Sequence, residues 1–207
     1  MKNLIYSTLA LLFAASLLSW QWSKNQHPTI DKKEVIECLN METQQAYQLE
    51  ASTPAFAAMH PNPLVVNPEN LLGKLIAFEA ADGKQAYAYF IPAKKKTNKY
   101  LIVIQEWWGL NDNVKMESDK YYTDLGNVNV IAVDMYDGKV AATPDSAMKL
   151  MRGANMERMT AIMQGAIKYA GSKAAIYSVG WCFGGMWSLQ TAILAGPQAK
   201  GSVMYYG

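Results

Sequence analysis

The residues best placed for chemistry are Ser178-Val179-Gly180-Trp181-Cys182-Phe183-Gly184-Gly185, where an apolar strand runs into a helix through a turn centred on a cysteine. This is the nucleophile-elbow pattern with Cys in the nucleophile position. A strained turn that presents its central side chain leaves little room beside it, so the flanking residues near it must be glycine, here Gly180 and Gly184. Gly185 lets the helix pack closely on the strand. The turn also sets the sulfur at a helix N-terminus, where backbone N–H groups and the helix dipole favour the attacking thiolate. A buried structural cysteine is the bland alternative, because cysteine is among the most often buried residue types. Strand, three glycines and following helix together favour the elbow.

A second element, Gln105-Glu106-Trp107-Trp108-Gly109, follows the first buried parallel strand at its C-terminal end, where open parallel sheets keep their active sites. A carboxylate there, Glu106, is poorly placed for mere solvation. In an elbow site, the loop after this strand and the residue after the nucleophile each supply one oxyanion-hole N–H. The backbone amides of Trp107 and Phe183 are therefore the candidate pair. Trp108 and Trp181 are candidate substrate-binding side chains, and with Trp107 they suggest an apolar or aromatic acyl or alcohol group. The side chains of Trp107 and Trp108 read equally well as core or interface aromatics.

These residues need a scaffold. Leu101 to Ile104, Val128 to Val133 and Ala175 to Val179 are short, continuously apolar runs separated by helix-length stretches, the sequence sign of a parallel sheet covered on both faces. Helices are expected over Asn113 to Leu125, Pro144 to Met151, Met156 to Ala170 and about Phe183 to Leu194. Ahead of them, Leu75 to Ala80 and Gln85 to Ile91 flank Asp82-Gly83 as a two-stranded hairpin. Ser202 to Tyr206 reads as a final strand. The folded domain is placed at residues 71–207.

Residues 1–20, with Lys2 followed by an apolar run from Leu4 to Leu18, read as a signal peptide, with a membrane anchor as the alternative if the segment is not cleaved. The expected location is periplasmic or secreted. Residues 21–70 read as a helical extension and a Pro-rich connector containing Pro54, Pro61, Pro63 and Pro68.

Composition removes other classes. The formal net charge is +2, and Arg152 and Arg158 are the only arginines, so no guanidinium-rich face exists to grip nucleic acid. Two histidines, His27 and His60, cannot build a three-histidine metal site, and Cys38 and Cys182 form neither a disulfide framework nor a zinc knuckle. No cofactor and no metal are implied. The expected partner is a small-molecule ester or lactone substrate.

The domain resembles the dienelactone hydrolase family, cysteine-nucleophile members of the α/β-hydrolase fold. The marks are Ile104-Gln105-Glu106 followed by an aromatic pair and Gly109, then Asn111, Val133-Asp134-Met135-Tyr136, Gly180-Trp181-Cys182-Phe183-Gly184-Gly185, and Tyr205-Tyr206-Gly207. The resemblance implies that Cys182 is the nucleophile and that Glu106 holds its thiol at rest and takes the proton when substrate displaces it. It makes Asp134 and Tyr136 strand-end structural residues. The implied fold is a mostly parallel sheet with helices on both faces.

Two departures qualify the carry-over. Family members acting on dienelactone hold the substrate carboxylate partly with an arginine before the helix that here starts near Pro144, and this chain has Ala142-Thr143-Pro144-Asp145 there. A neutral ester or lactone is the expected substrate. The family's acid and histidine follow the nucleophile, whereas no histidine follows Cys182 here. The expectation is a fragment, incomplete at its C-terminus, whose last strands and helix would carry both. The expected activity is ester or lactone hydrolysis through an acyl-enzyme. The alternatives are a non-catalytic binding protein that uses the fold without its triad, and a redox protein in which Cys38 and Cys182 pair.

Overall fold

The computed structural model describes residues 68–206 together with the isolated positions Leu49, Thr53 and Ala55. The chain divides into two compact units, Met1–Gln45 and Ala46–Gly207, and the described residues belong to the second. The expected signal peptide, and the positions of His27, Cys38 and His60, lie outside the described residues, as does most of the extension and connector.

Six strands form one sheet: β1 (Lys74–Glu79), β2 (Gln85–Ile91), β3 (Lys99–Ile104), β4 (Asn129–Val133), β5 (Ala175–Trp181) and β6 (Ala199–Tyr205). Their order across the sheet is β1-β2-β4-β3-β5-β6. The β1–β2 and β2–β4 pairs are antiparallel, and β4–β3, β3–β5 and β5–β6 are parallel. The hairpin expected around Asp82-Gly83 is present. Its turn closes through Ala80 N–H to the Lys84 carbonyl at 2.9 Å, and Gly83 takes φ 76°, which glycine adopts without strain.

The central strands are apolar on both faces because both faces are covered. All five residues of β4 are buried, and so are the last four of β3. Helix α1 (Asp112–Leu125) lies over one face, where Val114 joins Leu101, Val103, Val130 and Val179. Helices α2 (Pro144–Arg152), α3 (Met156–Ala170) and α4 (Phe183–Ala195) lie over the other, where Met151, Ile162, Met163 and Trp187 meet Ile102, Ile104 and Ile131. Burying Ile, Val and Leu side chains contributes roughly 1.5 to 3 kcal/mol each, which makes these two layers the main source of stability.

Local sequence sets where the helices start. Asn111 Oδ1 accepts from Val114 N at 3.1 Å, Thr143 and Ser146 form a reciprocal capping box with Pro144 at the first helical position, and Asn155 Oδ1 accepts from Arg158 N at 2.8 Å. Helix α4 differs. Its N-cap is Cys182, with no side-chain capping bond, so the four N–H groups of its first turn are not quenched by a cap side chain.

The strands run slightly beyond the expected ranges. β5 extends to Trp181, and the final strand occupies Ala199–Tyr205 in place of Ser202 to Tyr206, after a 3-10 turn at Gly196–Gln198. Apolar runs mark the buried part of a strand, and a polar end such as Lys99, opposite Ala175, extends the pairing beyond it, while Lys200 falls at a register shift in β6. Strand β6 lies at a sheet margin, with Val203, Met204 and Tyr205 exposed.

Candidate active site

The C-terminal ends of β3, β4, β5 and β6 come together at one end of the sheet, and each delivers a residue with functional chemistry. From β5 the chain passes directly into α4 through Cys182, whose backbone lies at φ 53° and ψ −120°. Non-glycine residues rarely adopt this conformation, and it costs of order 1 to 3 kcal/mol. The surrounding structure holds it. Cys182 N–H donates to the Tyr205 carbonyl at 3.0 Å, and the Cys182 carbonyl accepts from Gly185 N–H at 2.8 Å.

The glycines are required by close approach. A Cβ on Gly180 would overlap the Gly184 carbonyl, and a Cβ on Gly184 would overlap the carbonyl oxygens of Ile104 and Gln105. The first turn of α4 therefore sits directly against the end of β3, with no side chain between. This contact brings the start of α4 and the end of β3 together, backbone against backbone.

Gln105 and Glu106 diverge at the end of β3. Gln105 is fully buried and accepts from Met135 N at 3.3 Å through Oε1, which ties β3 to the segment after β4. Glu106 turns to the opposite side and accepts from the Tyr206 hydroxyl at 2.9 Å. Desolvation of that hydroxyl, then its bond to Glu106, then the charge at Cys182 push the Tyr206 phenol above the ordinary tyrosine range.

A cavity of about 350 Å³ opens beside Glu106. Its lining includes Trp108 and Trp181, the two indoles expected to meet substrate, together with Tyr206, Asn113 and Glu117. Trp107 is fully buried and packs edge-on against Trp108 at 5.2 Å, so its indole belongs to the core. Trp181 stacks with Tyr121 at 6.1 Å and with Tyr205 at 5.9 Å between ring centroids. Burial first, then Tyr205 and Glu117, push the Tyr121 phenol up to about 12.

The cavity carries carboxylates and amides, and none of its lining residues is Lys, Arg or His. Lys120 approaches Glu117 at 3.7 Å on the exposed side of α1. Arg158 is committed elsewhere, bridging Asp82 at 2.9 Å, Asp137 at 2.6 Å and the Gln85 carbonyl at 2.6 Å.

The fold thus brings Cys182, Glu106, Trp108, Trp181 and the backbones of Trp107 and Phe183 to one end of the sheet. Asp134 is a structural residue there. It accepts from Tyr136 N–H at 2.9 Å and Gly138 N–H at 2.6 Å, and burial nevertheless raises its carboxyl. Sequence reasoning did not single out Asn113, Glu117 or Tyr206 as site residues. Asn113 and Glu117 are four apart on α1, a spacing that puts both on the helix face following the β3 loop, and this was the available signal. Tyr206 had no local signal, since its role depends on a contact 100 residues away. Among the described residues no His/Cys/Asp/Glu cluster suited to a metal is present, and no helix is long and apolar enough to cross a membrane.

Comparison with known proteins bears on this geometry. The model of the dienelactone hydrolase family matches residues 85–207, more than half of the chain. The chain belongs to the dienelactone hydrolase family. This family membership accounts for the α/β-hydrolase fold seen in the sheet order and the elbow. Protein usf of Aquifex pyrophilus is 31% identical over 147 residues, covering 66% of this chain and 62% of its own length. A relative from Aquifex aeolicus, named provisionally as a carboxymethylenebutenolidase, is 29% identical over 147 residues with the same coverage. The chain thus spans 62% of the length of these curated relatives. A solved structure of a provisionally named dienelactone hydrolase from Klebsiella pneumoniae superposes with a TM-score of 0.53 at 21% identity, covering 65% of this chain and 60% of that one, and supports the fold.

Proposed function

We propose that this dienelactone hydrolase family member cleaves carboxylic esters or lactones by attack of Cys182 on the substrate carbonyl, forming a thioester acyl-enzyme. The observation that carries the reading is the backbone of Cys182, held at φ 53° and ψ −120° between Gly180 and Gly184 at the start of α4. Strain of this kind persists where the surrounding structure over-determines it, and such residues cluster at functional sites. A buried cysteine with only a packing role would not need it.

In this reading Glu106 receives the thiol proton as the sulfur attacks, and the N–H groups of Trp107 and Phe183 stabilise the oxyanion. The tetrahedral intermediate collapses by breaking the bond to the alkoxide, which leaves with the proton returned by Glu106. Trp108 and the edge of Trp181 form the apolar side of the cavity that receives the substrate. With Glu106 and Glu117 in the lining, the cavity favours a neutral ester over one bearing a carboxylate, whose approach two like charges oppose. These residues account for acylation. Deacylation requires a base to activate water, and the described residues contain no histidine. The N-terminal segment supports export of the protein, which we propose acts in the periplasm or outside the cell.

Burst kinetics with a neutral p-nitrophenyl ester test the reading. One equivalent of p-nitrophenol per chain is expected in the fast phase, lost in Cys182→Ala. A burst of equal size in Cys182→Ala would contradict it.

A further inference from the structure

Tyr136 after β4 and Tyr206 after β6 both lie within electrostatic reach of Cys182, and they are not equally engaged. The Tyr206 hydroxyl is committed to Glu106. The Tyr136 hydroxyl is buried and has no hydrogen-bond partner among the described residues. The rest of the residue is held firmly. Its N–H donates to Asp134 Oδ1 at 2.9 Å, and its ring packs at 5.5 Å on Phe183, the residue whose amide begins α4. Tyr136 and Cys182 lie in the same buried cluster.

A buried hydroxyl without a partner is destabilising, and phenylalanine would fill the same space without that cost. Two other buried donors also lack partners, Gln105 Nε2 and Trp187 Nε1. Tyr136 differs from both in that its phenol senses charge at Cys182, which together with burial raises it well above the ordinary tyrosine range. A phenol so raised stays protonated at neutral pH and can act only by hydrogen bonding.

Resting on the assignment of Cys182 as nucleophile, we propose that Tyr136 is a further catalytic residue, a hydrogen-bond donor to the Cys182 sulfur in its thiolate form. A neutral thiol is a weak acceptor, and the hydroxyl has little to gain from it. A thiolate is charged, and hydrogen bonds to charged groups are roughly twice as strong as neutral ones. When the thiol proton passes to Glu106, the Tyr136 O–H turns to the sulfur and keeps its own proton. On attack, the sulfur lone pair forms the bond to the carbonyl carbon and the hydroxyl is released.

Tyr136→Phe in a Cys38→Ser background tests this, read by the ultraviolet absorbance of the thiolate against pH and by thermal unfolding. The thiolate readout needs no reagent to reach the buried sulfur. The midpoint of thiolate formation is expected to rise by about 1 to 2 pH units, while the unfolding temperature stays level or rises. An unchanged midpoint overturns the proposal. Should Tyr136→Phe fail to fold, 3,5-difluorotyrosine at position 136, a stronger donor, is expected to lower the midpoint, and no change there overturns it equally. The proposed ester chemistry is tested apart from this by Cys182→Ala in the burst assay, so loss of one conclusion is distinguishable from loss of the other.

Discussion

The backbone turn from β5 into α4 and the side-chain lining of the cavity beside Glu106 are built by different means. At the elbow, Gly180 and Gly184 let backbone meet backbone, and the geometry follows from eight consecutive residues. Beside it, the cavity lining is assembled mostly from side chains far apart in sequence: Glu106 bound to Tyr206, and Asn113 and Glu117 from α1, with Trp181 of the elbow stacked against Tyr121 and Tyr205. A backbone contact tolerates no added atom, whereas a side-chain contact at a partly open cavity yields by rotation. The elbow should therefore be brittle to substitution and the wall tunable.

The largest effect is expected at the brittle end. Gly184→Ala places a methyl against the carbonyls of Ile104 and Gln105, which belong to the central strand and cannot withdraw. A loss of about 3 kcal/mol or more is expected, read as a lowered urea midpoint, because overpacking against fixed backbone lies at the upper end of such costs. If Gly184→Ala unfolds at the wild-type midpoint, the elbow is looser than its contacts indicate.

Glu106→Gln is isosteric and should leave the urea midpoint nearly unchanged while slowing the burst with a neutral p-nitrophenyl ester by about 100-fold, the lower range for a lost general acid–base group. A burst rate within a few-fold of wild type would assign Glu106 to the wall alone.

Tyr206→Phe removes one hydrogen bond from the same carboxylate. The expected cost is about 3- to 10-fold in burst rate, matching a net hydrogen-bond contribution near 1 kcal/mol. A larger loss than in Glu106→Gln would show that Tyr206 acts on substrate and not through Glu106.

The smallest expected effect is on alkaline stability. The phenols of Tyr89, Tyr121, Tyr136 and Tyr206 are all raised above their ordinary value of 10.0 in the fold. The folded state therefore resists giving up these protons. Their contribution is fully present below about pH 10 and is lost as pH rises through the raised folded values. Thermal stability should be level up to about pH 10 and fall beyond it, with Tyr136→Phe and Tyr206→Phe each softening the fall. A decline that begins below pH 9 and survives both substitutions would place its origin elsewhere.

The same contrast explains what the sequence disclosed. Continuous apolar runs revealed β3, β4 and β5, because a strand covered on both faces needs apolar residues at every position. Helical spacing placed α1, α2 and α3 to within a residue or so at each end. Cys182 and Glu106 were legible for a similar reason: a strand-to-helix turn and a strand end are local features. Tyr206 was not, since nothing near it in sequence records Glu106, the carboxylate it meets. Tyr136 was read as a structural residue at the end of its strand. Its amide is tied to Asp134 as a strand-end residue would be, while its hydroxyl is left unbonded beneath the elbow, a fact that only the packed structure reveals.

The central claim is that Cys182 forms a covalent bond to the acyl group of an ester. Brief incubation with a neutral p-nitrophenyl ester, acid quench and peptide mass mapping test it most directly. The account predicts one acyl group per chain on the peptide containing Cys182, absent from Cys182→Ala and reduced in Glu106→Gln. Acylation that maps to another residue, or that persists undiminished in Cys182→Ala, would contradict it.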